Sequence, residues 1–146
     1  MIPRILSLFL AAAVVLAVPD ARAVAKGHNR QERLENTRWV PARIGDRPVV
    51  VSGRQREPWI ELNPKSKRVA GSGGCNRIAG TYEAGPGTLR FGPLISTKMA
   101  CPGVDMEAPF LRALHEVRAY RVHGRVLELM DDRGQLLARL DERNLR

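Results

Sequence analysis

The stretch RVAGSGGCNRIAGTYEAGPGTLRF, residues 68–91, decides the fold. It contains three short segments, and turns rich in glycine separate them at Gly73-Gly74 and at Gly85-Pro86-Gly87. Short segments rich in β-branched and aromatic residues, bounded by such turns, are typical of strands that follow one another as hairpins. The stretch therefore predicts an antiparallel meander, with strands at 68–72, 78–83 and 88–91.

Strand signals also flank this meander on both sides. They lie at residues 37–43, 58–62, 94–98, 118–122, 125–130 and 135–140. Leu127 and Leu129 alternate with Glu128, a pattern that buries one face of an antiparallel sheet and exposes the other. We therefore expect a sheet of about eight strands that curls into a partial barrel.

One helix is expected near residues 105–117. Ala108, Leu111, Leu114 and Val117 recur at the spacing of three to four residues that marks one face of an amphipathic helix. Because proline is tolerated in the first turn of a helix but not further in, Pro109 places the start at about Ala108 or bends an earlier turn. With this helix against the curled sheet, the predicted fold class is α+β.

The first 23 residues have the order of a secretory signal. Arg4 precedes the apolar run 5–18, and the small-residue pattern Ala21-Arg22-Ala23 follows it. The apolar run is shorter than the roughly 20 residues that a membrane-spanning helix needs, so we expect cleavage and no transmembrane anchor. The domain plan is a signal peptide at 1–23, a flexible leader at 24–33, a folded domain at 34–140 and a C-terminal tail at 141–146. The protein is expected to be periplasmic or secreted.

The composition is that of a globular protein with a strongly basic charge. Hydrophobic residues make up 44% and charged residues 27%, and the formal net charge is +9, which falls to +8 without residues 1–23. The arginines are scattered, a pattern typical of a solvated surface, although attraction to anionic lipids or lipopolysaccharide is the functional alternative. Nucleic acid is not an expected partner, because the chain is exported and has no recognition motif or interleaved aromatic residues.

The chain has two cysteines, Cys75 and Cys101. In an oxidising compartment an even pair indicates one disulfide bond. Closing this loop would add about 3.5 kcal/mol to the free energy of unfolding on the chain-entropy model. A redox pair usually has C-x-x-C spacing, and a metal site would need further ligands, so neither alternative has support in the sequence.

The cysteine motifs resemble those of the META-domain, or HslJ-like, family. The resemblance rests on Gly71-Ser72-Gly73-Gly74-Cys75-Asn76-Arg77, then on Thr97-Lys98-Met99-Ala100-Cys101-Pro102 and Met106-Glu107, and extends over residues 34–140. It implies a small exported or envelope-associated domain, linked in some members to heat stress, antibiotic tolerance or virulence, with no established catalytic activity. Many members are lipoproteins, whereas this chain has no cysteine at the end of its signal.

The glycine-rich motif has two interpretations. In the first, Gly73 and Gly74 let the chain bend, Cys75 bonds to Cys101, and Asn76 bonds to buried peptide groups, so the motif is a braced corner. In the second, five residues line a pocket beside this brace for an anionic or peptide-like ligand. These candidate binding residues are Asn76, Arg77, Tyr82, Thr97 and Lys98.

No catalytic, cofactor or metal site is expected. His28, His115 and His123 have no ligand partner at helical spacing, and the serines lack a nucleophile-elbow motif. The glycine-rich run has no Gly-Lys-Ser/Thr after it, as a phosphate-binding loop would require.

The function expected is therefore that of a monomeric, non-catalytic envelope protein that supports stress tolerance by binding an envelope protein or by maintaining the envelope. The alternative is an adhesive module that binds lipopolysaccharide or another anionic envelope component.

The signal assignment gives a first prediction. Because signal peptidases cut after an A-x-A pattern, the mature protein should begin at Val24. Mass spectrometry of the protein purified from a secreting bacterial host measures this directly. A mature chain that begins at Met1 would contradict the assignment.

Overall fold

The computed structural model describes residues 33–51, 56–103 and 106–143, which form ten strands and one helix. The elements are β1 (Arg38–Ile44), β2 (Arg47–Pro48), β3 (Trp59–Asn63), β4 (Arg68–Ser72), β5 (Arg77–Gly85), β6 (Thr88–Phe91), β7 (Ile95–Ser96), α1 (Glu107–Glu116), β8 (Ala119–His123), β9 (Val126–Met130) and β10 (Leu136–Arg143). The predicted signal peptide, the leader up to residue 32 and residues 144–146 of the tail lie outside the described residues.

The antiparallel sheet closes on itself. Eight strands follow one another in the order β1, β3, β4, β5, β6, β8, β9 and β10, and β10 pairs with β1 to complete the ring. The two short strands extend the ring, β2 beside β1 and β7 beside β5. The prediction of a partial barrel is therefore wrong, because the barrel is closed and the fold is mostly β with one helix. Closure gives β1 and β10 partners on both edges, which an open sheet would leave unpaired.

Irregular register helps the sheet to curl. The pairing of β1 with β10 shifts between Pro41 and Arg43, and the pairing of β10 with β9 shifts between Leu136 and Ala138. A bulge of this kind bends a strand and increases its twist. β10 then continues to Arg143, beyond the predicted strand at 135–140, because its last residues pair with the start of β1.

Alternating side chains fill the barrel. In β6, Leu89 and Phe91 are buried while Thr88 and Arg90 are exposed, and β4 and β5 alternate in the same way. This is the pattern expected of strands with one face toward a core. The largest fully buried side chains are Trp39, Phe110, Leu34, Ile60, Leu62, Ile78, Leu89, Leu114, Leu127, Leu129, Leu140 and Val69.

The helix α1 covers one opening of the barrel. It packs against β10 and β1 and also against β6, which lies on the opposite side of the ring, so it crosses an open end. The first helical hydrogen bond runs from the N–H of Phe110 to the carbonyl of Met106, 3.0 Å away, and Pro109 lies in the first turn, where no N–H is needed. In the described part of the chain, no helix has the length and apolar character needed to cross a membrane.

A buried carboxylate holds the segment before β1 against the barrel. Glu35 is only 6% exposed, and its Oε1 accepts hydrogen bonds from the hydroxyl of Tyr82 at 2.5 Å and from Lys67 Nζ at 3.0 Å. Burial raises the pKa of Tyr82, and the hydrogen bond to Glu35 and the negative charge of Glu35 raise it further. A charge buried in this way is tolerated only when it is paired and hydrogen-bonded. The cluster therefore fixes the entry of the chain to β5 and to the turn between β3 and β4.

This cluster generates a prediction for Tyr82→Phe. At pH 7 the variant should lose about 1 to 2 kcal/mol of unfolding free energy, because Glu35 loses one buried donor. Tyrosine in the unfolded chain ionises near pH 10, whereas the raised pKa keeps Tyr82 protonated in the fold, so the stability of the wild type falls as the pH rises above 10. Urea unfolding of both proteins at pH 7 and 10.5 should show the difference shrinking. A difference that stays constant with pH would contradict this account.

Candidate functional site

The turn between β4 and β5 contains the glycine-rich motif. The N–H of Gly73 donates to the carbonyl of Asn76 at 2.9 Å, and the N–H of Gly74 donates to Ser72 Oγ at 3.1 Å. Gly74 has φ of 105°, a backbone conformation that favours glycine. The motif therefore reverses the chain tightly and brings Asn76 back toward the body of the protein.

Asn76 and Glu107 are joined by two hydrogen bonds. The backbone N–H of Asn76 donates to Glu107 Oε2 at 2.9 Å, and Asn76 Nδ2 donates to Glu107 Oε1 at 2.8 Å. Glu107 is the first residue of α1, where the helix dipole favours a negative charge. The arrangement attaches the start of the helix to the start of β5.

The side-chain oxygen of Asn76 holds a third segment. Asn76 Oδ1 accepts hydrogen bonds from Thr97 Oγ1 at 2.9 Å and from the N–H of Met99 at 2.7 Å. Thr97 Oγ1 accepts in turn from the N–H of Arg77 at 3.0 Å. Because Asn76 is only 7% exposed, these bonds are largely shielded from water. One amide side chain thus connects the turn, the helix and the segment after β7.

The disulfide bond lies beside this amide. The structure brings Cys75 and Cys101 into bonding contact with their Cα atoms 6.2 Å apart, within the usual range for a disulfide. The bond ties the turn to the residues before α1. We call the group formed by Cys75, Asn76, Thr97, Cys101 and Glu107, with the peptide N–H of Met99, the corner.

The corner is closely packed at Gly73. A Cβ atom added to Gly73 would lie 2.8 Å from Glu107 Oε2 and 2.9 Å from Glu107 Cδ. Real Cβ atoms do not approach this closely, so any larger residue would displace the carboxylate. Gly73 is therefore required by the close approach of Glu107 to the turn.

The structure brings together four of the five candidate binding residues. Asn76 and Thr97 belong to the corner, and Arg77 and Lys98 follow them in the chain with exposed side chains. Tyr82 lies about 16 Å further along β5, at roughly 3.3 Å per residue from Arg77, and points into the barrel toward Glu35. Three concave regions formed by described residues, of about 220, 710 and 250 Å³, are lined by other side chains.

Two carboxylates with structural roles were not among the sequence predictions. Glu107 belongs to the Met106-Glu107 motif, but the sequence does not indicate that it pairs with Asn76, and it does not place Glu35 in a site. The acidic residue at the expected helix start was the available signal for Glu107, because carboxylates favour that position. For Glu35 no signal existed, since glutamate is rarely buried and its partners are far away in the sequence.

The polar groups of the corner form hydrogen bonds with one another. Both carboxylate oxygens of Glu107 and the amide oxygen and nitrogen of Asn76 are engaged in internal hydrogen bonds. Across residues 33–51, 56–103 and 106–143, no group of three or more histidine, cysteine, aspartate or glutamate side chains could hold a metal ion. The arrangement is suited to holding three chain segments in fixed positions.

Residues 32–144 match the profile of the META domain. The chain belongs to the META domain family. This confirms the resemblance inferred from the cysteine motifs.

The META-domain chain is also similar to a protein from Burkholderia xenovorans whose structure was solved by NMR. The two sequences are 26% identical, the match covers 96% of this chain and all of the other, and the TM-score is 0.65. A second NMR structure has 24% identity over 75% of this chain and 92% of the other, with a TM-score of 0.58, and shows the fold alone. A comparison with curated proteins gives no match.

The corner generates a prediction for Glu107→Gln. In this variant the NH2 group of Gln at position 107 would face one of the two N–H donors of Asn76. That hydrogen bond is lost, and the Asn76 donor is left unpaired. We expect a loss of about 1 to 3 kcal/mol in unfolding free energy, measured by urea denaturation at pH 7. The control is Glu116→Gln at the exposed last residue of the same helix, where the change should stay within about 0.5 kcal/mol. Equal effects at the two positions would contradict the role given to Glu107.

Proposed function

We propose that this META-domain protein is exported and acts without catalysis, by binding components of the cell envelope and so supporting tolerance to heat or antibiotics. The observation that carries the proposal is the corner, in which a disulfide and a hydrogen-bonded amide fix the chain segment 97–101. A rigid segment at the surface favours binding, because less conformational freedom is lost when a partner docks.

Export is supported by the cysteine pair and the N-terminal sequence. Disulfides persist in the periplasm and outside the cell, while cytosolic thiols are kept reduced. Both cysteines of the mature chain are joined in one bond, and the described residues contain no free cysteine. The signal pattern at residues 1–23 agrees with this location.

Action without catalysis is supported by the internal hydrogen bonds that occupy the reactive groups of the corner. A general acid or base must be free to exchange a proton with a substrate, and a nucleophile needs an adjacent base. Glu107 instead holds two donors of Asn76, and Thr97 Oγ1 lies between Asn76 and Arg77. Arg77 and Lys98 beside the corner present positive charge to the solvent, which suits contact with a partner.

A second candidate function, adhesion to anionic envelope components, is favoured by a pair of arginines. Arg43 on β1 lies directly opposite Arg139 on β10, and both side chains are exposed. Like charges at directly opposite positions of a sheet repel each other. Within the described residues neither arginine has a carboxylate within 4.0 Å. A phosphate of lipopolysaccharide between the two guanidinium groups would relieve this repulsion.

The proposal is tested by deletion and complementation in a bacterium that carries the gene. The deletion should lower survival after heat or antibiotic exposure, and the wild-type gene should restore it, with the protein recovered outside the cytoplasm and oxidised. Cys75→Ser with Cys101→Ser should restore survival poorly, because loss of the disulfide removes about 3.5 kcal/mol of stability. Unchanged survival of the deletion strain, or recovery of the protein in the cytoplasm, would overturn the proposal.

The same strains separate the two candidate functions. Crosslinking in intact cells before and after stress should capture one recurring envelope protein if the first function is correct. If the protein instead adheres to lipopolysaccharide, Arg43→Ala with Arg139→Ala should abolish retention on lipopolysaccharide vesicles, and added salt should weaken retention of the wild type. Retention that is unaffected by the paired arginine variant would rule out this second function.

A further inference from the structure

We propose that the outer edge of β7 is a docking site for an extended acidic peptide, which adds to the barrel as another strand. This inference rests on the proposed binding function and names the class of partner. Such strand addition uses main-chain hydrogen bonds for affinity and alternate side chains for specificity.

The edge is open because β7 pairs with β5 alone. The pairing joins Ile78 to Ser96 and Ala79 to Ile95, and no other described strand lies beside β7. The N–H of Thr97 donates to the carbonyl of Arg77 at 3.1 Å, so this peptide group faces β5. Peptide groups along an antiparallel strand alternate in direction, and those of Ser96 and Lys98 therefore face away from β5.

The corner holds this edge in place from the other side. Thr97 Oγ1 and the N–H of Met99 are bonded to Asn76, and Cys101 is bonded to Cys75. All of these attachments lie on the side of β5 and the turn before it. Thr97 and Met99 both bond on that side, as alternate residues of an extended segment do, while the far edge stays available. A partner strand therefore needs to order little of this chain when it binds.

The side chains along the edge indicate which peptide fits. Ile95 is 67% exposed and Met99 is 59% exposed, unusually high for large apolar residues. Ile95, Thr97 and Met99 are two residues apart and share one face of the extended segment, while Lys98 lies on the other face. The matching strand has apolar residues on the first face and carboxylates on the second.

Charge complementarity decides in favour of an acidic partner. The side chain of Lys98 is exposed, and within the described residues it has no carboxylate within 4.0 Å. The whole chain carries a formal charge of +9, so an anionic peptide is also attracted at longer range. A basic peptide would meet repulsion from both sources.

The test uses a fluorescent eight-residue peptide of alternating valine and glutamate with blocked ends, and the purified, oxidised protein. Anisotropy should show saturable binding. Two further peptides, N-methylated at the four valines or at the four glutamates, keep the charge but remove the N–H groups of one edge. At least one of them should bind ten times more weakly or worse. Equal binding by all three would show charge attraction without strand pairing and overturn the proposal.

Hydrogen exchange locates the binding site without any substitution. On saturation with the peptide, the amides of Ser96 and Lys98 should exchange at least ten times more slowly, while those of Thr97 and Met99, already bonded internally, should change little. Protection at other strands instead of these two amides would overturn the proposal. Protection of the same amides in a dimer without peptide would also overturn it, because the edge would then belong to a second copy.

Matched charge variants complete the test. Lys98→Ala should weaken peptide binding at least threefold, whereas Arg121→Ala, which removes the same charge from an exposed position on β8, should have a smaller effect. Melting curves check that both variants fold. Equal weakening by the two variants contradicts a site at β7.

If the peptide fails to bind but the wild-type gene restores survival, only the docking site is wrong. If the peptide binds and the deletion has no effect on survival, the proposed function is wrong.

Discussion

The paired hydrogen bonds between Glu107 and Asn76 join the start of α1 to the turn before β5, and Asn76 also accepts a hydrogen bond from Met99. Through them, the first turn of α1, the turn before β5 and the segment after β7 share one attachment. A carboxylate that accepts two donors at a helix N-terminus is well stabilised although it is half-buried. The disulfide alone would fix only two of these three segments, since it joins Cys75 to Cys101 and leaves the helix free.

The hydrogen bonds and the disulfide stabilise the corner in different ways. The covalent bond limits the freedom of the unfolded chain, whereas the hydrogen bonds act in the folded state and specify one geometry. Since Gly73 leaves no space between the turn and Glu107, this geometry also depends on packing. The result is a surface segment whose position is set by covalent, polar and steric constraints together.

Local sequence patterns predicted the local structure well. The glycine-rich turns in residues 68–91 predict the hairpins, and the spacing of Leu111 and Leu114 together with Pro109 predicts the helix and its start. Barrel closure could not be seen in this way, because it pairs the first strand with the last and depends on bulges at Pro41 and Leu136. The partners of Asn76 and Tyr82 were hidden for the same reason, since Glu107 is 31 residues from Asn76 and Glu35 is 47 residues from Tyr82.

Closure of the barrel by β1 and β10 has a mechanical consequence. Arg38 at the start of β1 lies opposite Arg143 at the end of β10, so the chain enters and leaves the ring at neighbouring points. Tension applied to the two ends would load the hydrogen bonds of this seam one after another, as in a zipper, and not all at once in shear. A domain tethered and pulled through its termini would thus open first at this seam, while the disulfide-linked corner would remain closed.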